Sequence, residues 1–224
     1  MAHADLLFAE LNEGLDCKSY LIASQSAREA ILVDPLEDKV DRYIQVLSDQ
    51  RLSLLLALDT HTHADHLSGS RTLVERLGGK TAGSPSGSVH LPLHEGDVLT
   101  LGQLSIRVWS TPGHTADSLS LLLDDRVLSA DTLLIGATGR TDLPTGDTAT
   151  EWESLTRLMS LPDDTLVFPG HDYAQKTHST IGYERANNKR YTLGREAFIA
   201  AMSEPRKTKP ALIDRALPHN TRPL

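Results

Sequence analysis

The segment from His61 to His66 constrains the fold of this chain more than any other. It reads His-Thr-His-Ala-Asp-His, which places three imidazoles and one carboxylate within six consecutive positions. The residues just before it, 52–58, are apolar at nearly every position, as expected of a strand covered on both faces. In an extended segment, residues two apart point the same way, so His61 and His63 can face one ion. Because such groups are costly to crowd together without a metal, the segment predicts a metal site at the end of a buried strand.

Three further candidate ligands follow other predicted strands. Pro-Gly pairs precede two of them, and proline and glycine favour the sharp turns that throw the next side chain toward the edge of a sheet. Asp65 and His66 are expected to begin the helix after the histidine segment. We expect seven groups to converge on the metal site: His61, His63, Asp65, His66, His114, Asp131 and His171.

The hydrophobic pattern predicts an α/β protein in which strands and helices recur as two similar halves. Short strands are predicted at residues 19–23, 30–33, 52–58, 104–108, 118–123, 126–130 and 166–168. Helices are predicted at residues 37–50 and 67–77, and from about 148 to 159. Each half would bury one sheet face under helices, which predicts a four-layer αββα sandwich.

The chain length suits one domain. We expect residues 1–224 to form a single domain, with a short helical C-terminal extension after about residue 174. The extension is too short to be an independent domain of usual size.

Composition limits where the protein acts and what it binds. No stretch approaches the ~20 apolar residues that a membrane helix needs. The first residues lack the features of a secretory signal, and Cys17 is the only cysteine, so we expect a soluble, cytoplasmic protein in which Cys17 is a structural thiol. A net charge of -8 argues against a nucleic-acid partner, so an anionic substrate would need a local cationic patch.

The order of these seven groups resembles that of the metallo-β-lactamase superfamily, and the resemblance covers almost the whole chain up to His171. In that superfamily the matching residues can hold two metals. His61, His63 and His114 would bind one metal, and Asp65, His66 and His171 would bind the other, with Asp131 between them. The motif is specific for the fold but not for the reaction, because this fold hosts hydrolases, nucleases and oxygenases.

Two further segments are similar to signatures of the persulfide dioxygenases, also called sulfur dioxygenases. They are Gly139-Arg140-Thr141-Asp142 and Pro169-Gly170-His171-Asp172-Tyr173. The resemblance implies an enzyme of sulfide metabolism that oxidises glutathione persulfide with O2 to sulfite and glutathione. It also implies one Fe(II) per chain, held by the catalytic residues His61, His114 and Asp131, in the facial arrangement of two imidazoles and one carboxylate. The matching His63, Asp65, His66 and His171 would then surround the iron without binding it, although the sequence does not forbid a second metal.

Three residues are candidates for substrate contact. Arg140 offers a planar guanidinium that can hold a glutathione carboxylate by two hydrogen bonds, or it can form an ion pair with Asp142. Tyr173 can donate its hydroxyl toward the sulfur ligand or simply pack. Thr115 is a candidate donor beside His114.

The main alternative is a dinuclear hydroxyacylglutathione hydrolase of the glyoxalase II type, in which metal-bound hydroxide attacks a thioester. It would use the same seven ligands. Against it, that family usually has Glu where Asp172 stands, and a longer helical C-terminal region. The sequence leaves the oligomeric state open, although related enzymes are often homodimers.

Overall fold

Two six-stranded β-sheets pack face to face, and helices cover the outer face of each sheet. The computed structural model describes residues 4–12, 17–173, 176–204 and 208–224. The four-layer αββα sandwich predicted from the hydrophobic pattern is confirmed.

The first sheet keeps its strands in chain order, from β1 (Leu6–Glu10) and β2 (Tyr20–Ser24) to β3 (Glu29–Val33), β4 (Ser53–Leu58), β5 (Lys80–Gly83) and β6 (Leu91–Pro92). Helices α1 (Val40–Asp49) and α2 (Ser70–Leu77) connect β3 to β4 and β4 to β5. Because a helix crosses over between them, β3 and β4 run parallel, and so do β4 and β5.

The second sheet has the order β12-β11-β10-β9-β8-β7. Its strands are β7 (Val98–Leu101), β8 (Leu104–Ser110), β9 (Leu119–Leu122), β10 (Arg126–Ala130), β11 (Leu166–Pro169) and β12 (Ser179–Thr180). Helix α3 (Thr148–Leu158) connects the parallel strands β10 and β11. The chain then forms α4 (Ile181–Asn187), α5 (Arg195–Met202) and α6 (Ile213–Asn220).

Alternating side chains build three apolar layers. Between the sheets, Ile22, Ile31 and Leu58 pack in one core with Ile106 and Leu121. The opposite face of the first sheet buries α1 and α2, and that of the second buries α3 and α5, in two further cores. This alternation follows from the period of two in a β-strand, which sends successive side chains to opposite faces.

The parallel strands place the predicted ligands at one edge of the sandwich. Asp34 and the histidine segment follow the carboxyl ends of the neighbouring strands β3 and β4. Asp131 and His171 follow the carboxyl ends of the neighbouring strands β10 and β11. A hydrogen bond connects the two sheets at this edge, because the amide of Leu119 donates to the carbonyl of Thr60 at 2.8 Å. Carboxyl ends of parallel strands are a common location for sites in α/β proteins.

One local prediction is wrong, because Asp65 and His66 do not begin a helix. Helix α2 begins only at Ser70. The carbonyl of Leu67 accepts from the amide of Glu37, and Ser68 forms an isolated bridge with Leu36. These bonds hold residues 67 and 68 against the segment after β3, so the metal-site segment remains a loop.

After His171 the described residues form the three α-helices α4, α5 and α6. The boundary predicted at about residue 174 lies outside the described residues, because positions 174 and 175 are not among them. Among the helices that the structure describes, none has the length and apolar character to cross a bilayer.

Candidate metal centre

His61 is oriented by a chain of hydrogen bonds that reaches β3. Its Nδ1 lies 3.0 Å from Thr60 Oγ1, and Thr60 Oγ1 in turn donates to Asp34 Oδ2 at 2.8 Å. Since the Thr60 proton points to Asp34, the hydroxyl oxygen accepts from His61 Nδ1. Burial, together with the neighbouring His63 and His114, lowers the pKa of His61 to about 3. The imidazole is therefore neutral at pH 7, with the lone pair of Nε2 free for a metal.

His114 and Asp131 complete a buried cluster with His61. His114 Nδ1 donates to the carbonyl of Arg140 at 2.7 Å, which leaves Nε2 on the side of Asp131, 3.5 Å from Oδ2. One donor atom from each of His61, His114 and Asp131 lies within 4.8 Å of the other two. Burial would raise the pKa of Asp131, but the charge and hydrogen bond of His171 outweigh it and hold this pKa below its ordinary value.

This cluster fits a divalent metal by its donor chemistry. It offers two imidazoles and one carboxylate, and the outer nitrogen of each imidazole already has an acceptor. A carboxylate and two imidazoles on one face suit a non-haem Fe(II) and leave its other positions open. The sequence therefore predicted a set of residues that the fold does bring together.

His63 lies beside His61, with ring centroids 4.1 Å apart. Its Nε2 is 3.0 Å from Asp34 Oδ1, whereas its buried Nδ1 has no hydrogen-bond partner among the described residues. The two carboxylate oxygens of Asp34 therefore contact Thr60 and His63. Asp34 was not among the predicted site residues, although an aspartate directly after a buried strand was the available signal.

A second cluster contains the other predicted ligands. His171 Nδ1 lies 2.8 Å from Asp131 Oδ1, and its Nε2 lies 3.0 Å from Asp65 Oδ2. His66 Nδ1 lies 3.3 Å from the same Asp65 oxygen. Burial would lower the pKa of His66, but the Asp65 carboxylate, which accepts from Nδ1, and the neighbouring Cys17 raise this pKa to about 10. Asp131 thus faces His114 with one oxygen and His171 with the other.

Cys17 also belongs to this second cluster, a position that the prediction of a structural thiol did not include. Its Sγ donates to Asp65 Oδ2 at 3.1 Å and lies 3.4 Å from His171 Nε2. No periodicity or motif in the sequence indicates this position, because Cys17 is 154 positions from His171 along the chain.

The C-terminal helix holds the histidine loop by its backbone. Asn220 Nδ2 donates to the carbonyls of His63 and His66 at 2.8 and 2.9 Å. Its Oδ1 accepts from the amide of Ser68 at 2.9 Å. Asn220 therefore replaces the hydrogen bonds that a regular helix would have given this loop, and the sequence analysis missed it.

An open cavity of about 330 Å³ leads to the two clusters. Among its described lining residues are two cations, Arg140 and Lys209, and the sequence had indicated only Arg140. Arg140 already pairs with Asp142 through Nε and Nη2, at 2.7 and 2.8 Å, and its Nη1 donates to the carbonyl of Thr208. The other lining residues include Ala64, Asp65, His114, Asp131, Thr138, Gly139, His171, Tyr173 and Pro210.

The other two substrate candidates occupy different surroundings. Tyr173 lines the cavity, is 69% exposed, and stacks on the His171 ring with centroids 5.6 Å apart. Its exposure leaves the hydroxyl accessible to a ligand. Thr115 is buried, and its hydroxyl lies 2.7 Å from Ser118 Oγ. Among the described residues that line this cavity, Thr115 does not occur.

Known proteins resemble the chain over almost its whole length. A family model described as the metallo-beta-lactamase superfamily matches residues 84–171. The mitochondrial persulfide dioxygenase ETHE1 of Homo sapiens is 35% identical over 233 residues, which cover 98% of this chain and 89% of the human protein. The crystal structure of ETHE1 from Myxococcus xanthus superposes with a TM-score of 0.93 at 41% identity, covering 96% of this chain and 98% of that one.

A hydrolase is also similar, over a shorter stretch. The hydroxyacylglutathione hydrolase of Nitrobacter hamburgensis is 32% identical over 177 residues, which cover 76% of this chain and 69% of that protein. The similarity to the dioxygenases is greater in coverage, and it includes the C-terminal helices.

Proposed function

The chain belongs to the persulfide dioxygenase family of the metallo-β-lactamase superfamily, and from this we propose that it oxidises glutathione persulfide with O2 at a single Fe(II). The family predicted from the sequence motifs is confirmed. The reaction balances when glutathione persulfide, O2 and water give glutathione, sulfite and two protons. The buried set of His61, His114 and Asp131 is the observation that supports the iron assignment.

These three residues would hold the iron, and each is prepared for that role. His61 and His114 have their outer nitrogens satisfied, so Nε2 of each can face the metal. Asp131 supplies the one negative charge of the set and is fixed by His171. When bound, Fe(II) would supply open positions for the persulfide sulfur and for O2, and the capacity to transfer electrons between them.

The cavity residues would bind and orient glutathione. Arg140 and Lys209 place two positive charges at the cavity of an otherwise acidic protein, which suits the carboxylates of glutathione. Tyr173 would stand over His171 with its hydroxyl available to the substrate. The predicted contact of Thr115 remains a proposal, and a role in fixing the loop after His114 through Ser118 suits its burial better.

Oxygen uptake tests the proposed function directly. With Fe(II)-loaded protein, glutathione persulfide should cause uptake of one O2 for each persulfide consumed, with sulfite as product. Removal of the metal by a chelator should stop the uptake, and Fe(II) but not Zn(II) should restore it, because only iron changes oxidation state here. An oxygen electrode and a sulfite assay make the measurement.

The same preparation separates the dioxygenase from the thioester hydrolase. Under anaerobic conditions we expect little hydrolysis of S-lactoylglutathione. Fast anaerobic hydrolysis, together with no oxygen uptake from persulfide by the iron-loaded protein, would establish the hydrolase instead.

Arg140→Ala should weaken the apparent affinity for glutathione persulfide on the order of ten- to hundredfold, the equivalent of a charged hydrogen bond of about 1.5–3 kcal/mol. Iron content should stay close to the parent value, because Arg140 offers no metal ligand. Arg140→Lys should rescue only part of the loss, since an ammonium lacks the planar fork. Steady-state oxygen uptake gives KM and kcat for each variant.

Arg126→Ala is the matched control, because Arg126 forms the same two-pronged pair with Asp125 at 2.7 and 2.8 Å. Arg126 does not line the cavity. If both variants had the same KM as the parent, Arg140 would serve only its ion pair with Asp142.

The remaining expectations about organisation also stay proposals. We propose that the chain is a single domain whose extension begins at about residue 174. We propose that it works in sulfide metabolism in the cytoplasm, without a nucleic-acid or membrane partner. The single cysteine supports a reducing compartment such as the cytoplasm, whereas the human relative is named as mitochondrial. Fractionation of the native cells with detection of this chain tests the location.

A further inference from the structure

Cys17 is fixed against the second cluster by its backbone. It forms an isolated antiparallel bridge with His171, and the amide of Lys18 donates to the carbonyl of Gly170 at 2.9 Å. These bonds join the segment before β2 to the segment after β11. The thiol therefore has a defined position, and it does not depend on a side-chain contact alone.

The thiol lies among the groups that related proteins can use for a second metal. Asp65 Oδ2 accepts from Cys17 Sγ at 3.1 Å, and it is also 3.0 Å from His171 Nε2 and 3.3 Å from His66 Nδ1. Cys17, Asp65 and His66 each offer a ligand atom within 4.8 Å of the other two. One carboxylate oxygen thus holds three hydrogen-bonding neighbours.

His66, beside the thiol, has a ring nitrogen that could bind a metal. The side chain of His66 is 9% exposed, and its Nε2 is buried with no hydrogen-bond partner among the described residues. An unpartnered buried nitrogen carries a desolvation penalty that a metal would relieve. The cluster therefore keeps the chemistry of a cation site, and the Cys17 sulfur contacts both Asp65 and His171 within it.

A second cation would have to displace these contacts. Ligand oxygens and nitrogens approach a divalent transition metal to about 2.0–2.2 Å, so the ion needs the space and the lone pair of Asp65 that Cys17 now occupies. Asp131 cannot bridge freely either, because its Oδ1 is 2.8 Å from His171 Nδ1 while Oδ2 faces His114. The contact with His171 therefore leaves Asp131 Oδ2 directed toward His114, in the cluster proposed to hold the first metal.

We propose that Cys17 closes the second metal position, and that it is the residue which keeps this centre mononuclear. It then acts as a specificity-determining residue, because a single metal with open positions suits dioxygenation whereas two metals sharing a hydroxide suit thioester hydrolysis. This inference rests on the proposed function.

The test compares the parent with Cys17→Ala and Cys17→Val. Each protein is incubated aerobically with excess Zn(II), and separately anaerobically with excess Fe(II), and is desalted before its metal content is measured by elemental analysis. Alanine removes the sulfur and its volume, so Cys17→Ala should rise from about one to about two metals per chain. Valine keeps the volume but offers no ligand, so Cys17→Val should remain at about one.

Anaerobic hydrolysis of S-lactoylglutathione is the second readout. In the zinc-loaded form, Cys17→Ala should gain on the order of tenfold or more over the parent, and Cys17→Val should not. Circular dichroism and the unfolding midpoint confirm that each variant is folded before its metal content is compared.

Two results would overturn the inference. Cys17→Ala that is folded and still holds one metal would show that the thiol does not exclude the second. A parent that binds two metals, with the second lost in both variants, would make Cys17 a thiolate ligand instead. If the parent shows no persulfide-dependent oxygen uptake, the proposed function fails, whatever the metal contents are.

Discussion

Asp131→Asn is expected to remove most of the bound metal and nearly all oxygen uptake. Asp131 is the only anionic group in the set with His61 and His114, and an amide neither carries the charge nor binds iron comparably. It also holds His171 at 2.8 Å, so the substitution disturbs both clusters. Loss of groups outside the ligand set typically costs 10–100-fold in metal affinity, so loss of this ligand should cost at least about hundredfold.

The measurement is metal content after dialysis, together with persulfide-dependent oxygen uptake. Asp164→Asn is the control, because Asp164 is an exposed aspartate in the turn before β11. It should match the parent in both readouts. If Asp131→Asn were also indistinguishable from the parent, the metal would have to be held by other residues.

Gly139→Ala is expected to lower metal affinity although Gly139 is no ligand. A methyl group at this position would overlap the carbonyl oxygen of Asp131 and come within 2.8 Å of His114 Nδ1. Neither neighbour can move easily, since the Gly139 amide donates to that carbonyl at 2.7 Å and His114 donates to Arg140. One added methyl group should therefore displace two of the three proposed ligands, at a cost of about 10–100-fold in metal affinity.

Gly194→Ala separates this effect from a general loss of stability. Gly194 has a φ of 80° and precedes α5, and a methyl group there meets no atom within 4 Å. Alanine should therefore strain the backbone and lower the unfolding midpoint by an amount equivalent to about 1 kcal/mol, with metal content intact. If the two glycine variants lost metal to the same degree, instability rather than ligand displacement would explain both.

Metal affinities of the two glycine variants can be compared by competition with a chromophoric chelator. The comparison should be made at a temperature well below both unfolding midpoints. Under those conditions the bound fraction reports on the geometry of the ligands and not on the population of unfolded chains.

The sequence alone determined the architecture, because burial periodicity is a local property of each segment. The apolar run before His61 had to be a strand covered on both faces, and the β4 strand is that segment. Pro-Gly turns before His114 and His171, and the parallel strands that the helical crossovers impose, then bring the ligands to one edge. The triad of His61, His114 and Asp131 could therefore be predicted from segments read one at a time.

The tertiary structure decided how those ligands are oriented and what closes the site beside them. Asp34 fixes Thr60 and His63 across neighbouring strands, and Asn220 holds the carbonyl of His66 from 154 positions away. Cys17 reaches His171 only because two distant backbones form a bridge. A hydrogen bond depends on the distance and angle between two atoms, and not on the separation of their residues along the chain. Local patterns carry no information about such pairs, so residues that looked ordinary in the sequence set the charge, the tautomers and the space of the metal centre.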